Sequence, residues 1–247
     1  MNAEIKLDVV ILPTKDDVAA RGAEEFIAAA QKAVEERGRF VVALAGGSTP
    51  DGAYRLLSAG TDSPVEWERV SLYWSDERCV APDHPDSNYG AAKRALLDRL
   101  DLQPTQVHRM RGEEEPTRAA DMYEAELRAD VVGDPPRFDL VMLGMGDDGH
   151  TASLFPHSAA LDVMDRLISA NHVEKLGADR LTFTTPLINA ARMVMFLVTG
   201  EGKAAALREV LEGEQNAHEY PSQLVAPTNG RLLWVVDEAA AGSLSDR

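Results

Sequence analysis

Short runs rich in β-branched residues and leucine recur along the chain, and between them apolar positions return at helical spacing. The runs at 8–12, 40–45, 70–74, 138–143, 181–185, 193–198 and 232–236 have the length and content of buried strands. Between the first two, Ala19, Ala23, Phe26, Ile27, Ala30 and Val34 fall on one stripe of a helix. Further helices are predicted over 50–58, 87–100, 116–131 and 201–212, while 159–179 is mixed. Strands alternating with helices build an α/β fold: a mostly parallel, twisted sheet with helices on both faces. A length of 247 residues, without internal repeat or low-complexity linker, suits a single domain over 1–247.

Composition narrows the class. An apolar share of 45% supports a full core. The runs 193–198 and 232–236 are far too short to cross a bilayer. The first residues lack the basic-then-apolar pattern of a secretory signal. Cys79 is the only cysteine, so no intrachain disulfide framework or thiolate zinc cluster is expected, and a cytoplasmic protein is. The formal charge of −16 argues against nucleic acid and anionic membranes as partners. It also means that an anionic small molecule would need cations gathered at one cleft.

Four polar turns share one placement. Gly46-Gly47-Ser48-Thr49-Pro50, Ser75-Asp76-Glu77-Arg78, the segment 144–150 and the segment 199–203 each follow a predicted strand. In a parallel sheet all four emerge on one edge, where open α/β folds bind ligands. At the first, two glycines permit close backbone approach, with Ser48 or Thr49 as helix cap and Pro50 as first helical residue. Free amides there, backed by a helix dipole, suit a phosphate. A capped helix whose dipole Asp51 offsets is the plainer alternative. Lys203 in a first helical turn opposes the dipole unless an anion sits there, or unless Glu201 pairs with it. Arg78 adds a planar fork suited to phosphate oxygens, with Asp76 or Glu77 as competing partners. Arg180 is a weaker third cation.

The segment 144–149 spells G-x-G-x-x-G, a pattern shared with dinucleotide sites. Asp147 and Asp148 would repel a pyrophosphate there, and Pro156 interrupts a following helix. A catalytic turn fits better, with glycines including Gly146 exposing the backbone and His150 projecting into the cleft. Histidine can take a proton near neutral pH, which a water-activating base requires. His84, His108, His157, His172 and His218 lack such a setting. No metal-ligand spacing and no G-x-S-x-G elbow occurs, so neither a metal nor a serine triad is expected.

Five stretches together resemble the 6-phosphogluconolactonase family, relatives of the glucosamine-6-phosphate deaminases: AGGSTP at 45–50, WSDERCVAPDHPDSNYG at 74–90, LGMGDDGHTASLFP at 143–156, TTPLINAAR at 184–192 and TGEGKA at 199–204. The resemblance implies a Rossmann-like α/β fold and hydrolysis of 6-phosphogluconolactone to 6-phosphogluconate in the pentose phosphate pathway, without a cofactor. It makes His150 the general base, Asp76 an active-site carboxylate, and Arg78 and Lys203 phosphate ligands. Gly46, Gly47, Ser48, Thr49, Gly146, Asp148 and Arg180 are the remaining expected substrate contacts. Deaminases that resemble this loop carry an acidic residue just before the proline, where this chain has Phe155, and a tyrosine where it has Arg78. Both departures favour the lactonase over a deaminase; a non-catalytic sugar-phosphate-binding module, which would keep the phosphate cradle without turnover, is the other alternative. A phosphorylated sugar lactone is the expected partner, for a monomer or small homo-oligomer.

Overall fold

The computed structural model describes residues 6–59 and 64–245. Its larger sheet is wholly parallel and contains β1 (Lys6–Leu12), β2 (Phe40–Leu44), β3 (Val70–Trp74), β5 (Leu140–Leu143), β8 (Met193–Val198) and β9 (Arg231–Asp237). The strand order is β1-β9-β8-β5-β2-β3. A smaller antiparallel sheet joins β4 (Asp76–Arg78), β7 (Ala178–Phe183) and β6 (Ile168–Val173) in the order β4-β7-β6. The Rossmann-like description fits loosely. The first strand lies at an outer edge beyond β9, whereas a Rossmann sheet keeps it near the centre.

Period-two alternation divides the core into two layers. Along β2, Val41 and Ala43 join one cluster while Phe40, Val42 and Leu44 join the other. The second cluster is roofed by α1 (Lys15–Arg37), α2 (Ser48–Leu57) and α3 (Asn88–Ala95), through residues such as Phe26, Leu57 and Ala95. The first is covered by α4 (Pro116–Asp130), α5 (Thr185–Asn189), α6 (Ala204–Glu212) and the small sheet, through Leu127, Leu187, Leu207 and Phe183. Each fully buried large side chain contributes about 1.5–3 kcal/mol. On the paired strands β8 and β9, Phe196 and Trp234 stack with ring centroids 3.8 Å apart.

Local chemistry sets the element ends. Thr14 caps α1 by accepting from the Asp17 amide, Asp17 returns the bond, and Gly38 closes the helix at φ 75°. The predicted helix 50–58 instead starts at Ser48, with Gly47 as cap and no side-chain cap. Ser48 and Thr49 therefore lie within the first turn. The Ser48 hydroxyl accepts from Lys15 Nζ at 2.9 Å, and the Thr49 hydroxyl bonds that of Thr199 at 2.8 Å. The predicted helix 87–100 ends at Ala95 and gives way to a 3-10 turn, Leu97–Arg99. The predicted 201–212 begins with a 3-10 turn, Glu201–Lys203, before α6.

The run 181–185 departs most from expectation. It is no strand of the parallel sheet but the end of antiparallel β7 and the start of α5. Ser75 causes this: its amide donates to Leu44 O in the large sheet while its carbonyl accepts from Phe183 N in the small one. The chain thus steps from one sheet to the other within a residue. Among the described residues, no helix is long and apolar enough to cross a membrane.

Candidate active site

Strands β8, β5, β2 and β3 are consecutive neighbours in the sheet, so their following turns share its C-terminal edge. The turns are 199–203, 144–150, 46–50 and 75–78, as the alternation of elements predicts. Between them lies a cleft of about 200 Å³ lined by Gly46, Gly47, Asp76, Arg78, His150 and Lys203, among others. A second lobe of about 260 Å³ shares Asp76, Arg78 and His150 and adds Arg180, Lys175 and Phe155.

The 144–150 turn is folded around its histidine. Gly146 N donates to His150 O at 2.8 Å, and Gly149 takes φ 76°. A Cβ on Gly146 would lie 2.0 Å from His150 Nδ1, so only glycine lets the ring rest against this backbone. Asp148 Oδ1 lies 2.5 Å from His150 Nδ1, and its Oδ2 accepts from Lys175 Nζ at 3.1 Å. Burial alone would raise the Asp148 carboxyl, but the bonds and charges of His150 and Lys175 hold it well below the ordinary value. Phe155 stacks on the imidazole with centroids 4.0 Å apart at 21°. Among the described residues, His150 Nε2 has no hydrogen-bond partner. The ring is therefore held by one nitrogen and one face, which leaves the other nitrogen for chemistry.

Asp76 is fixed from two sides. Its Oδ1 accepts from Asn88 Nδ2 at 3.1 Å and its Oδ2 from Ser153 Oγ at 2.8 Å. Gly46 completes the fit, since a Cβ there would lie 1.8 Å from Asn88 Oδ1. The end of β2 just before it is pinned by Tyr54, whose hydroxyl bridges the amide and carbonyl of Ala45 at 2.9 and 2.8 Å. The amides of Gly46 and Gly47 have no partner among the described residues.

Glu77 does not neutralise Arg78. It is buried, and it accepts from the amides of Arg78, Asn88 and Tyr89 and from the Ser87 hydroxyl at 2.7–3.0 Å. Burial pushes its carboxyl up, and those amide bonds oppose the shift. Arg78 itself donates to the carbonyl of Asp86. Across the β4–β7 ladder it stands directly opposite Arg180. Arg180 has its pKa lowered by burial and then by the charge of Arg78. Among the described residues, neither arginine nor Lys203 has a carboxylate within ion-pair distance; Glu201, the expected competitor for Lys203, makes no such pair. Like charges facing each other across a ladder are unfavourable unless an anion lies between them.

Of the sequence-predicted residues, His150, Asp76, Arg78, Lys203, Gly46, Gly47 and Gly146 line the first lobe, and Arg180 and Asp148 the second. Asp148, expected among the substrate contacts, has its carboxylate engaged by His150 and Lys175. Ser48 and Thr49 line neither lobe, because the helix starts earlier than predicted and Thr49 turns inward to Thr199. Asn88 and Ser153 escaped the sequence reading although both sit in the motif stretches. Lys175 carried no signal, since it lies in the mixed region. Asp237 also went unremarked: from the end of β9 it accepts the Gly200 amide at 2.9 Å and so shapes the Lys203 turn.

Residues 13–234 match the model of a family described as glucosamine-6-phosphate isomerases/6-phosphogluconolactonase. The chain belongs to this family. A 6-phosphogluconolactonase from Nostoc sp. is 41% identical over an alignment covering 98% of this chain and 100% of its own. Another from Synechocystis sp. is 45% identical, covering 86% of this chain and 88% of its own. Among solved structures, 6-phosphogluconolactonase from Trypanosoma brucei superposes with a TM-score of 0.87 at 25% identity, over 98% of this chain and 100% of that one.

Proposed function

We propose that this chain hydrolyses 6-phosphogluconolactone to 6-phosphogluconate, with His150 activating the attacking water. One observation carries the reading: a histidine clamped through Nδ1 by Asp148 faces, across one cleft, cations that have no carboxylate of their own. The substrate phosphate is held by Arg78 and Lys203, with Arg180 behind Arg78. The lactone carbonyl then lies near the free amides of Gly46 and Gly47, which stabilise the oxyanion formed on attack. His150 Nε2 takes a proton from water as its oxygen adds to the carbonyl carbon. The same proton passes to the ring oxygen as the C–O bond of the lactone breaks, so no net proton is consumed by the histidine. Asp148 holds the tautomer and shares the charge that the imidazole acquires. Asp76, rigid between Asn88 and Ser153, accepts hydrogen bonds from sugar hydroxyls.

Phe155 supports hydrolysis over deamination. It places an apolar ring against the base, where protonating a leaving amine calls for a second acid. The net charge supports the absence of nucleic acid and anionic membrane among partners, and the lone Cys79 supports the cytoplasm. The shared core of both sheets supports one domain over the chain. The test is the rate of loss of fresh 6-phosphogluconolactone. Wild type should exceed the spontaneous rate by orders of magnitude, and His150→Ala should fall about 10²–10⁴-fold while staying folded. Wild type and His150→Ala both matching the spontaneous rate would refute the hydrolysis, and equal rates above it would refute the role of His150.

A further inference from the structure

The opposite edge of the large sheet, where β5, β8 and β9 begin, carries a second cleft of about 380 Å³. Lys32 and Arg37 reach it from the C-terminal half of α1, Arg137 and Arg192 from the segments just before β5 and β8, and Arg231 from the start of β9. Counted with Arg21 beside them, these cations meet four carboxylates, those of Asp8, Glu25, Glu36 and Asp139, an excess of two positive charges (six minus four) in a chain of net charge −16.

The carboxylates are already committed. Asp139 accepts from Arg37 Nε and the Val41 amide, both at 2.9 Å; Arg192 Nε lies 3.3 Å from it but, among the described residues, makes no hydrogen bond. Glu25 is shared by Arg21 and Arg231, and Glu36 pairs with Arg37. Arg137 is left over. Among the described residues no carboxylate lies within ion-pair distance of it; its Nη2 donates to Asn229 O at 2.5 Å, and its buried Nε has no acceptor. Burial, then the charges of Arg192 and Arg37, lower its pKa. Nε itself is closed to solvent, so the rest of the half-buried guanidinium, which lines the cleft without a carboxylate of its own among the described residues, is what an oxyanion would meet. Ala28, Ala29 and Met193 supply an apolar wall beside the cations, which suits an anion with a carbon skeleton.

We propose that this cleft binds a small organic phosphate, with the phosphate on Arg137 and Arg192 and the skeleton against Met193. The site is separate from the catalytic cleft, since β8 alone sets about 20 Å between the two edges.

Inorganic pyrophosphate titrated by calorimetry is the test, because hydrolysis need not be measured. In an Arg78→Ala/Lys203→Ala background, which empties the catalytic cleft, one binding event should remain. Adding Arg137→Gln should weaken it about tenfold or more. In the background protein without that change, pyrophosphate should slow amide exchange in residues 28–37 and 191–194, a footprint that keeps the test open if Arg137→Gln folds poorly. Absence of heat in the background protein, affinity unchanged by Arg137→Gln, or protection confined to residues 144–150 would each overturn the proposal. Failure of the catalytic reading shows differently: wild type and background would then bind pyrophosphate alike.

Discussion

Asp148 holds His150 twice, its Oδ1 lying 2.5 Å from the ring Nδ1 and 3.2 Å from the backbone nitrogen of the same residue. A histidine tied at both ring and backbone has one orientation and one tautomer to offer. Asp148→Asn should lower kcat by about 10²–10⁴-fold with little change in KM, measured by lactone hydrolysis. It should also carry a pH signature in thermal unfolding. The carboxyl is depressed on folding, so it stabilises the protein above the unfolded-state value of about 3.9 and loses that effect as pH falls through the folded value. The Tm gap between wild type and Asp148→Asn should therefore be full at pH 6–8 and begin to narrow below about pH 4, closing only as pH falls through the folded value. A gap independent of pH would separate Asp148 from this role.

Arg78 and Arg180 face each other across the ladder, and among the described residues neither has a carboxylate within ion-pair distance. Arg180→Gln should leave the ligand-free protein as stable as wild type or slightly more so, because one of two opposed charges is gone. The same change should raise KM about tenfold while kcat moves little. Added phosphate should raise the Tm of wild type more than that of the variant. A loss of stability without ligand would mean that the pair is compensated by contacts other than an anion.

Gly146→Ala separates folding from function. Its Cβ would fall 2.0 Å from His150 Nδ1 and 2.6 Å from Asp148 Oδ1, both side-chain atoms able to swing away. The fold should survive with a nearly normal Tm, and the displaced base should cost about 10² or more in kcat. Activity within a few-fold of wild type would refute the need for this ring position.

The sequence exposed the parts of the site whose chemistry is written in the turn itself. Glycines, His150, Arg78 and Lys203 each follow a strong strand signal, so their shared edge could be read without coordinates. What stayed hidden depends on distance in space. Lys175 meets Asp148 only because β6 and β7 fold back as a separate sheet, and the apolar run 181–185 looked like one more parallel strand. Ser48 and Thr49 were misplaced because a Gly47 with φ 109° starts the helix without a side-chain cap. Phe155 stands out in the sequence for what it replaces, and its stacking on His150 is visible only in the fold. The choice of Asp148 over Asp76 and Asp147 as the partner of His150 rests on loop geometry alone.

Glu77 is a stability element beneath the site. As a carboxylate it accepts four hydrogen bonds, three from amides, and so ties the β4 segment to the start of α3. Glutamine keeps one acceptor oxygen and points an NH₂ group at donors. Glu77→Gln should therefore destabilise the protein by about 1–3 kcal/mol in urea unfolding, with the activity loss following from Arg78 losing its support. An unchanged urea midpoint would show that this network bears no weight.

The strand order β1-β9-β8-β5-β2-β3 has a consequence for the life of the chain before it is finished. Among the described residues β1 has β9 as its only neighbour in the sheet, and of the described strands β9 comes latest in the chain. Until residue 237 emerges, β1 has no edge to join, and β8 presents an unpaired row of backbone donors and acceptors. Asp237, which shapes the Lys203 turn, arrives with that same strand. Closing the sheet and completing the cleft are thus one event, set by the arrival of β9.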